Sequence, residues 1–258
     1  MLPRVSTFPD KFRLDGRTAL ITGSGQGLGW EMAKALAEAG ARVILHGRSS
    51  ERLEPRLAEL HAARRDAGAV IFDIGNRTAM RTALQAAPAI DILVHNVGAR
   101  DRRTYADIEP DDFARLVDLD LNAAHALAKL VTPHMQRQQW GRLIMVTSIV
   151  ADLAGRGSPS YTAAKGGLSA LMRAMAGELG ADGITSNAIS PGFFATETNG
   201  PLIASEAGKR MRERTPAKRW AEPWEIAGAA VFLASDAAAY VNGHTLTVDG
   251  GVSATYMA

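Results

Sequence analysis

"TALITGSGQGLGWEMAKALAEAGARVILHGR", residues 18–48, decides the fold. The apolar run "TALIT" ends in a turn carrying Gly23, Gly27 and Gly29 in a G-x-x-x-G-x-G spacing. A helix-length segment follows, then a second apolar run, "RVILH". Strand, glycine turn, helix and strand make a βαβ unit. Glycine there lets the backbone approach a pyrophosphate closely, and the helix N-terminus adds N–H donors and a positive dipole end. Glycine turns also close ordinary βα connections, so the placement directly after the first strand carries the dinucleotide reading.

The same rhythm runs outward along the 258 residues. Further strands are expected at "AVIF", "DILVH", "RLIMVTS", "TSNAIS" and "TLTVD". Helices are expected over Glu31–Ala39, Ser50–Ala67, Ala79–Ala86, Asp111–Gln136, Ser160–Leu179 and Pro223–Ala234. Several strands are continuously apolar, as when helices cover both faces of a parallel sheet. The fold expected is a single-domain Rossmann-type doubly wound α/β fold over residues 1–258, with seven parallel strands flanked by helices. The polar, irregular segment from Phe193 to Arg219 reads as an excursion from the sheet, a lid over the substrate.

Composition narrows the function classes. With 47% apolar and 22% charged residues the chain can build a core. Cysteine is absent, which removes disulfides, thiolate metal sites and a cysteine nucleophile. A net charge of +2 without a long basic run disfavours nucleic acid. The N-terminal stretch "MLPRVSTFPDKFRLDG" has no apolar signal region, and no apolar run reaches the roughly 18 residues of a membrane helix. A cytoplasmic protein with a small-molecule substrate, and with no nucleic-acid or membrane partner, is the expectation.

The tip of the second strand speaks to the cofactor. NAD-preferring sites usually place Asp or Glu there for the ribose hydroxyls. Here it reads His46-Gly47-Arg48-Ser49. Arg48 can pair with a 2′-phosphate and Ser49 can add a hydrogen bond. A solvated loop arginine is the plainer alternative. NADP(H) is the preferred cofactor on this reading, with NAD(H) as the alternative.

Polar residues at four places complete the pattern. Ser148 ends "RLIMVTS", and "YTAAK" sets Tyr161 and Lys165 four apart, on one helix face. Asn122 lies in the preceding long helix. A tyrosine–lysine pair at this spacing is common by chance; following a strand that ends in serine makes it informative.

These residues, in this order, resemble the short-chain dehydrogenase/reductase family along essentially the whole chain. The resemblance rests on "TGSGQGLG" at 22–29, Asp73-Ile74, Asn96–Gly98, Asn122, Ser148, "YTAAK", "NAISPGFFAT" at 187–196 and "TLTVDGG" at 245–251. It implies a mechanism. A free phenol has a pKa near 10 and is a poor base at neutral pH, but a neighbouring ammonium favours the phenolate. Tyr161 would exchange the alcohol proton, Ser148 would hold the reacting oxygen, Lys165 would bind the nicotinamide ribose, and Asn122 would hold a relay water. Cofactor contacts would come from Gly23, Ser24, Gln26, Gly27, Leu28, Gly29, Arg48, Ser49, Tyr161 and Lys165. Asp73 and Ile74 would face adenine. Asn96 and Gly98, and Pro191, Gly192, Phe194 and Thr196, would complete the site. No metal is required by this chemistry. The resemblance also implies a homotetramer built on the Asp111–Gln136 and Ser160–Leu179 helices. Two positions depart from the family pattern. His95 replaces the first Asn of an Asn-Asn-Ala-Gly turn, and Gln26 stands where many NADP-preferring members carry a basic residue.

After Gly98 comes "ARDRR", with Arg100, Arg102 and Arg103. Loop arginines are often solvated, and Asp101 can neutralise one of them. The alternative is that a guanidinium, Arg102 first, holds a substrate carboxylate bidentately. "VILHGR" followed by "NVGARDRR" is similar to gluconate 5-dehydrogenases, which interconvert D-gluconate and 5-keto-D-gluconate with NADP(H). A 3-oxoacyl-[acyl-carrier-protein] reductase shares the same motifs. Its acidic carrier would need a basic patch, such as Lys209, Arg210, Arg212 and Arg214. A catalytically silent NADP-binding sensor is the alternative of another class.

Overall fold

Alternation along each strand sorts its side chains to two cores. A computed structural model of the chain describes residues 7–154 and 157–255, so the first six residues of the N-terminal stretch lie outside the description. Its strands are β1 (Thr18–Ile21), β2 (Arg42–Gly47), β3 (Ala67–Ile71), β4 (Ile92–His95), β5 (Gly141–Val146), β6 (Ile184–Pro191) and β7 (Thr245–Val248). All pair in parallel, in the order β3-β2-β1-β4-β5-β6-β7. The helices are α1 (Gly27–Glu38), α2 (Glu54–Ala62), α3 (Arg77–Ala86), α4 (Pro110–Val117), α5 (Ala123–Gln138), α6 (Pro159–Leu179), α7 (Gly200–Ile203), α8 (Glu206–Arg214) and α9 (Ala227–Ala234).

Ile21, Leu45, Val94 and Ile144 point to one face and pack with Met32 and Leu36 of α1 and Leu233 of α9. Leu20, Ile44, Leu93 and Leu143 point to the other and meet Met80 of α3, Leu127 of α5 and Met172 of α6. Covering both faces explains why these strands are apolar throughout. The fold is thus the seven-stranded Rossmann-type architecture expected. The strand order reverses between β1 and β4, and the crevice beyond their carboxyl ends is where such sheets bind ligands.

Three expected elements differ. The helix expected over Ser50–Ala67 is the shorter α2; Arg64 turns the chain at φ 56° and Ala67 begins β3. The continuous helix expected over Asp111–Gln136 is divided by a π-helical turn, Asp118–Asn122, between α4 and α5. The excursion is not irregular throughout: it contains α7 and α8. Phe194 bridges Ala221, and the Trp220 indole N–H donates to the Gly208 carbonyl at 3.3 Å, tying the segment back. Among the described residues no helix is long and apolar enough to cross a membrane.

Candidate active site

The turns after β1 and β4 are clipped together. Thr22 Oγ1 accepts the backbone N–H groups of Asn96 (2.8 Å) and Val97 (3.0 Å), while the Asn96 amide donates to the Thr22 carbonyl at 3.0 Å. Gly23 has φ +65°, which favours glycine. A Cβ on Gly29 would lie 2.4 Å from the Gly23 carbonyl oxygen and 2.5 Å from the Asn96 amide. Only glycine lets α1 start this close to the loop.

His46 welds the tip of β2 to the same loop. Its Nδ1 accepts the Gly23 N–H at 3.2 Å, so the proton resides on Nε2, which donates to the Phe72 carbonyl at 3.1 Å. Its own backbone N–H donates to Ser24 Oγ at 3.0 Å. The ring is 1% exposed and burial pushes it down to about 4, against the pull of the Phe72 hydrogen bond. His95, fully buried at the end of β4, is pushed down to about 3 by burial first and by the Lys165 charge second. Both are neutral at pH 7.

These turns open onto a cavity of about 1220 Å³, large enough for a dinucleotide and a small substrate together. One end is lined by Gln26, Arg48, Ser49 and Arg52, the middle by Asp73, Ile74, Asn96 and Gly98. At the other end stand Ser148, Tyr161 and Lys165, with Pro191, Gly192, Phe194 and Thr196 alongside. Gly23, Gly27 and Leu28 line it as well. Ser24 and Gly29 instead support the loop from behind, through the contacts above. Arg52 carries no motif that would single it out in the sequence. Its guanidinium donates to Gln26 Oε1 at 2.9 Å, so a cation reaches the Gln26 position from α2's approach instead of from the glycine loop.

The residues present fit a bound NAD(P). Glycine backbone lies where phosphates would approach, two guanidiniums stand at one end, and a buried ammonium stands at the other. Lys165 is 2% exposed, and its Nζ donates to the Val146 carbonyl at 3.1 Å. That Nζ lies 5.6 Å from the Tyr161 ring centroid. A Cβ on Gly98 would sit 2.8 Å from it, so the β4 turn closes directly over the lysine.

Asn122 is not part of this site. It is exposed, donates to Asp118 Oδ1 at 3.2 Å, and lines a separate cavity of about 420 Å³ with Arg77, Arg81 and His125. The side chain that reaches Lys165 from the π-helical turn is Asp120, two residues earlier and so on the opposite face. Its Oδ2 lies 3.5 Å from Lys165 Nζ and its Oδ1 accepts the Ala99 N–H at 2.7 Å. Helical periodicity could not show this, because the π turn shifts the register inside an apparently unbroken helix.

The arginine loop separates into roles. Arg103 is held by Asp101 and, at 2.8 Å, by Asp112; the guanidinium keeps Asp101 low, at about 2. Arg102 lines the cavity, as expected, and so does Arg100. The Arg100 guanidinium carbon lies 4.9 Å from the Tyr161 ring centroid, nearer the reacting end than sequence spacing suggested. Among the described residues neither Arg100 nor Arg102 forms an ion pair.

Comparison with known proteins agrees with this geometry. Residues 23–253 match the family model described as Enoyl-(Acyl carrier protein) reductase. The chain is 36% identical to the gluconate 5-dehydrogenase of Gluconobacter oxydans, over 95% of this chain and 98% of that protein. It is 35% identical to the 5-keto-D-gluconate 5-reductase of Escherichia coli, over 94% and 98%. It superposes with a TM-score of 0.91 on a gluconate 5-dehydrogenase from Burkholderia cenocepacia in complex with NADP and tartrate, 38% identical over 96% of this chain and 99% of that one.

Proposed function

The chain belongs to the short-chain dehydrogenase/reductase family, an NAD(P)-dependent oxidoreductase acting on CH–OH groups, and from that premise we propose that it interconverts D-gluconate and 5-keto-D-gluconate with NADP(H). The observation that carries the substrate class is the pair Arg100 and Arg102, which share one cavity with Ser148 and Tyr161 and lack an acid partner among the described residues. A sugar acid offers one carboxylate to a guanidinium and a distal secondary alcohol to the tyrosine. Gluconate 5-dehydrogenase relatives, and one solved with NADP, support the same choice. For the cofactor, the reading is supported by Arg48, Ser49 and Arg52, which line the cavity near the tip of β2 and could meet a 2′-phosphate, and by the lack of a carboxylate at the end of β2.

The bound nicotinamide supplies or accepts the hydride. The chain does the rest. Ser148 Oγ donates to the reacting oxygen and fixes its position. Tyr161 gives its phenolic proton to that oxygen in reduction and takes it back in oxidation. Lys165, anchored to Val146 at the end of β5, keeps a positive charge beneath the phenol and offers an N–H to the nicotinamide ribose. Arg102 orients the substrate by its carboxylate, and the 193–219 segment with α7 and α8 acts as the lid that keeps water out. Subunits assemble as a homotetramer in the cytoplasm.

The test is NADPH oxidation at about pH 7 with 5-keto-D-gluconate, an acetoacetyl thioester and a cyclohexanone. Turnover of 5-keto-D-gluconate in preference to the others is expected. Turnover of the thioester alone would replace this reading by an acyl-carrier-protein reductase, with exposed Lys209, Arg210, Arg212 and Arg214 of α8 as its docking patch. Tyr161→Phe should lower kcat by about 10²–10⁴-fold while NADPH still binds; retained activity would remove Tyr161 from the reaction.

A further inference from the structure

The π-helical turn brings a buried carboxylate to the lysine of the site, and the reaction just described does not use it. Asp120 is 0% exposed. Its Oδ1 accepts the Ala99 N–H, while Oδ2 has no hydrogen-bond partner and faces Lys165 Nζ at 3.5 Å. A buried anion this close to a buried cation does more than pair with it. Seen from the phenol, an ammonium beside a carboxylate is a dipole and not a net charge, and its field fades faster with distance.

We propose that Asp120 is a charge-setting, positioning residue that acts through Lys165: it offsets the ammonium, holds Tyr161 as the phenol at neutral pH, and so poises the site for proton donation in carbonyl reduction. The inference rests on the oxidoreductase reading above. Lys165 faces Asp120 from α6, and Arg100 adds a more distant positive charge from the loop after β4. His95 touches its backbone carbonyl at 3.3 Å but is neutral. Arg77 of α3 is occupied by Asp118 of the same turn at 2.8 Å. Lys165, the nearest of these cations, is the one whose charge Asp120 cancels; Arg100, over the face of the Tyr161 ring, works in the opposite sense. Burial raises the Asp120 carboxyl above the ordinary range, with Lys165 and the Ala99 N–H opposing it. In acid, therefore, the offset is lost before an exposed aspartate would lose its charge.

The experiment compares wild type with Asp120→Asn, which is isosteric and keeps an oxygen for Ala99. Tyrosinate absorbance is titrated in the protein without cofactor, with Tyr161→Phe subtracted in each background to isolate Tyr161. The Tyr161 midpoint should move to lower pH by about one unit in Asp120→Asn. The acid limb of kcat/KM for alcohol oxidation, where Tyr161 must have lost its proton, should move in the same direction by the same amount. NADPH affinity, read by fluorescence, should change little. A midpoint that stays put or rises, in a folded variant that still binds NADPH, overturns the proposal. If Asp120→Asn does not fold, Asp120→Ser carries the same expectation. If neither folds, the wild type decides: a Tyr161 midpoint at or below about pH 7 would mean that Lys165 acts unopposed. The titration needs no substrate, so a wrong substrate assignment would leave its outcome unchanged.

Discussion

Acidification should cost the fold stability well before the buried histidines of the folded chain are protonated, and His46 sets the scale. The folded chain keeps this ring neutral down to about 4, whereas in the unfolded chain it protonates at its ordinary 6.5. Between those values the unfolded state binds the extra proton, so stability rises with pH there and is lost as pH falls. The two values are roughly 2.5 pH units apart, which amounts to about 3 kcal/mol over the whole window and about 2 kcal/mol by about pH 5. His95 adds a loss of the same sign, from 6.5 toward about 3. Protonating His46 Nδ1 in the folded chain also removes the acceptor of the Gly23 N–H, so NADPH affinity should fall only as pH approaches about 4. Urea unfolding followed by fluorescence of the four tryptophans would measure this, at about pH 7.5 and about pH 5 and one protein concentration. His46→Gln should be less stable than wild type at the higher pH but lose about 2 kcal/mol less on acidification. His95 titrates in both proteins and cancels in the difference. Equal losses in the two proteins would refute the assignment of acid sensitivity to His46.

Two further predictions concern recognition. Arg48→Ala should weaken NADPH binding by about tenfold or more and leave NADH nearly untouched, as expected for a charge-assisted contact to one phosphate; Arg52→Ala should act in the same direction, and equal losses for both nucleotides would contradict a 2′-phosphate site. Arg102→Ala should raise KM for 5-keto-D-gluconate by about tenfold with a neutral ketone unaffected, while Arg100→Ala, which removes the cation over Tyr161, should change kcat for both; the reverse assignment of effects would exchange their roles.

What could be read from residue order alone was whatever depends on neighbours in sequence. The glycine turn, the Tyr161–Lys165 spacing and Ser148 at a strand end are local patterns, and the cavity gathers all of them. Features made by contact across the sheet were not visible. His46 drew notice only as a position without a carboxylate, yet its ring holds Gly23 and Phe72 together. Arg52 lay inside an expected helix and instead precedes α2, beside Gln26. The error at Asn122 has a physical cause: a π turn inserts a residue into a helix without altering composition. Two polar residues spaced by two, Asp120 and Asn122, then compete for the inward position, and the one able to pair with Lys165 holds it.

The clip between Thr22 and Asn96 has an architectural consequence. Because the β4 turn is bonded to the glycine loop, the last residues that grip the cofactor are also the first that position the "ARDRR" segment. The cofactor-side turn is held by the Thr22 hydroxyl and the Asn96 amide, while the segment after Gly98 is anchored separately, at Arg103, by Asp101 and Asp112. On the proposed function, exchanging the Arg100 and Arg102 side chains would retune which acid is admitted while the clip, and the glycine loop bonded to it, stay as they are.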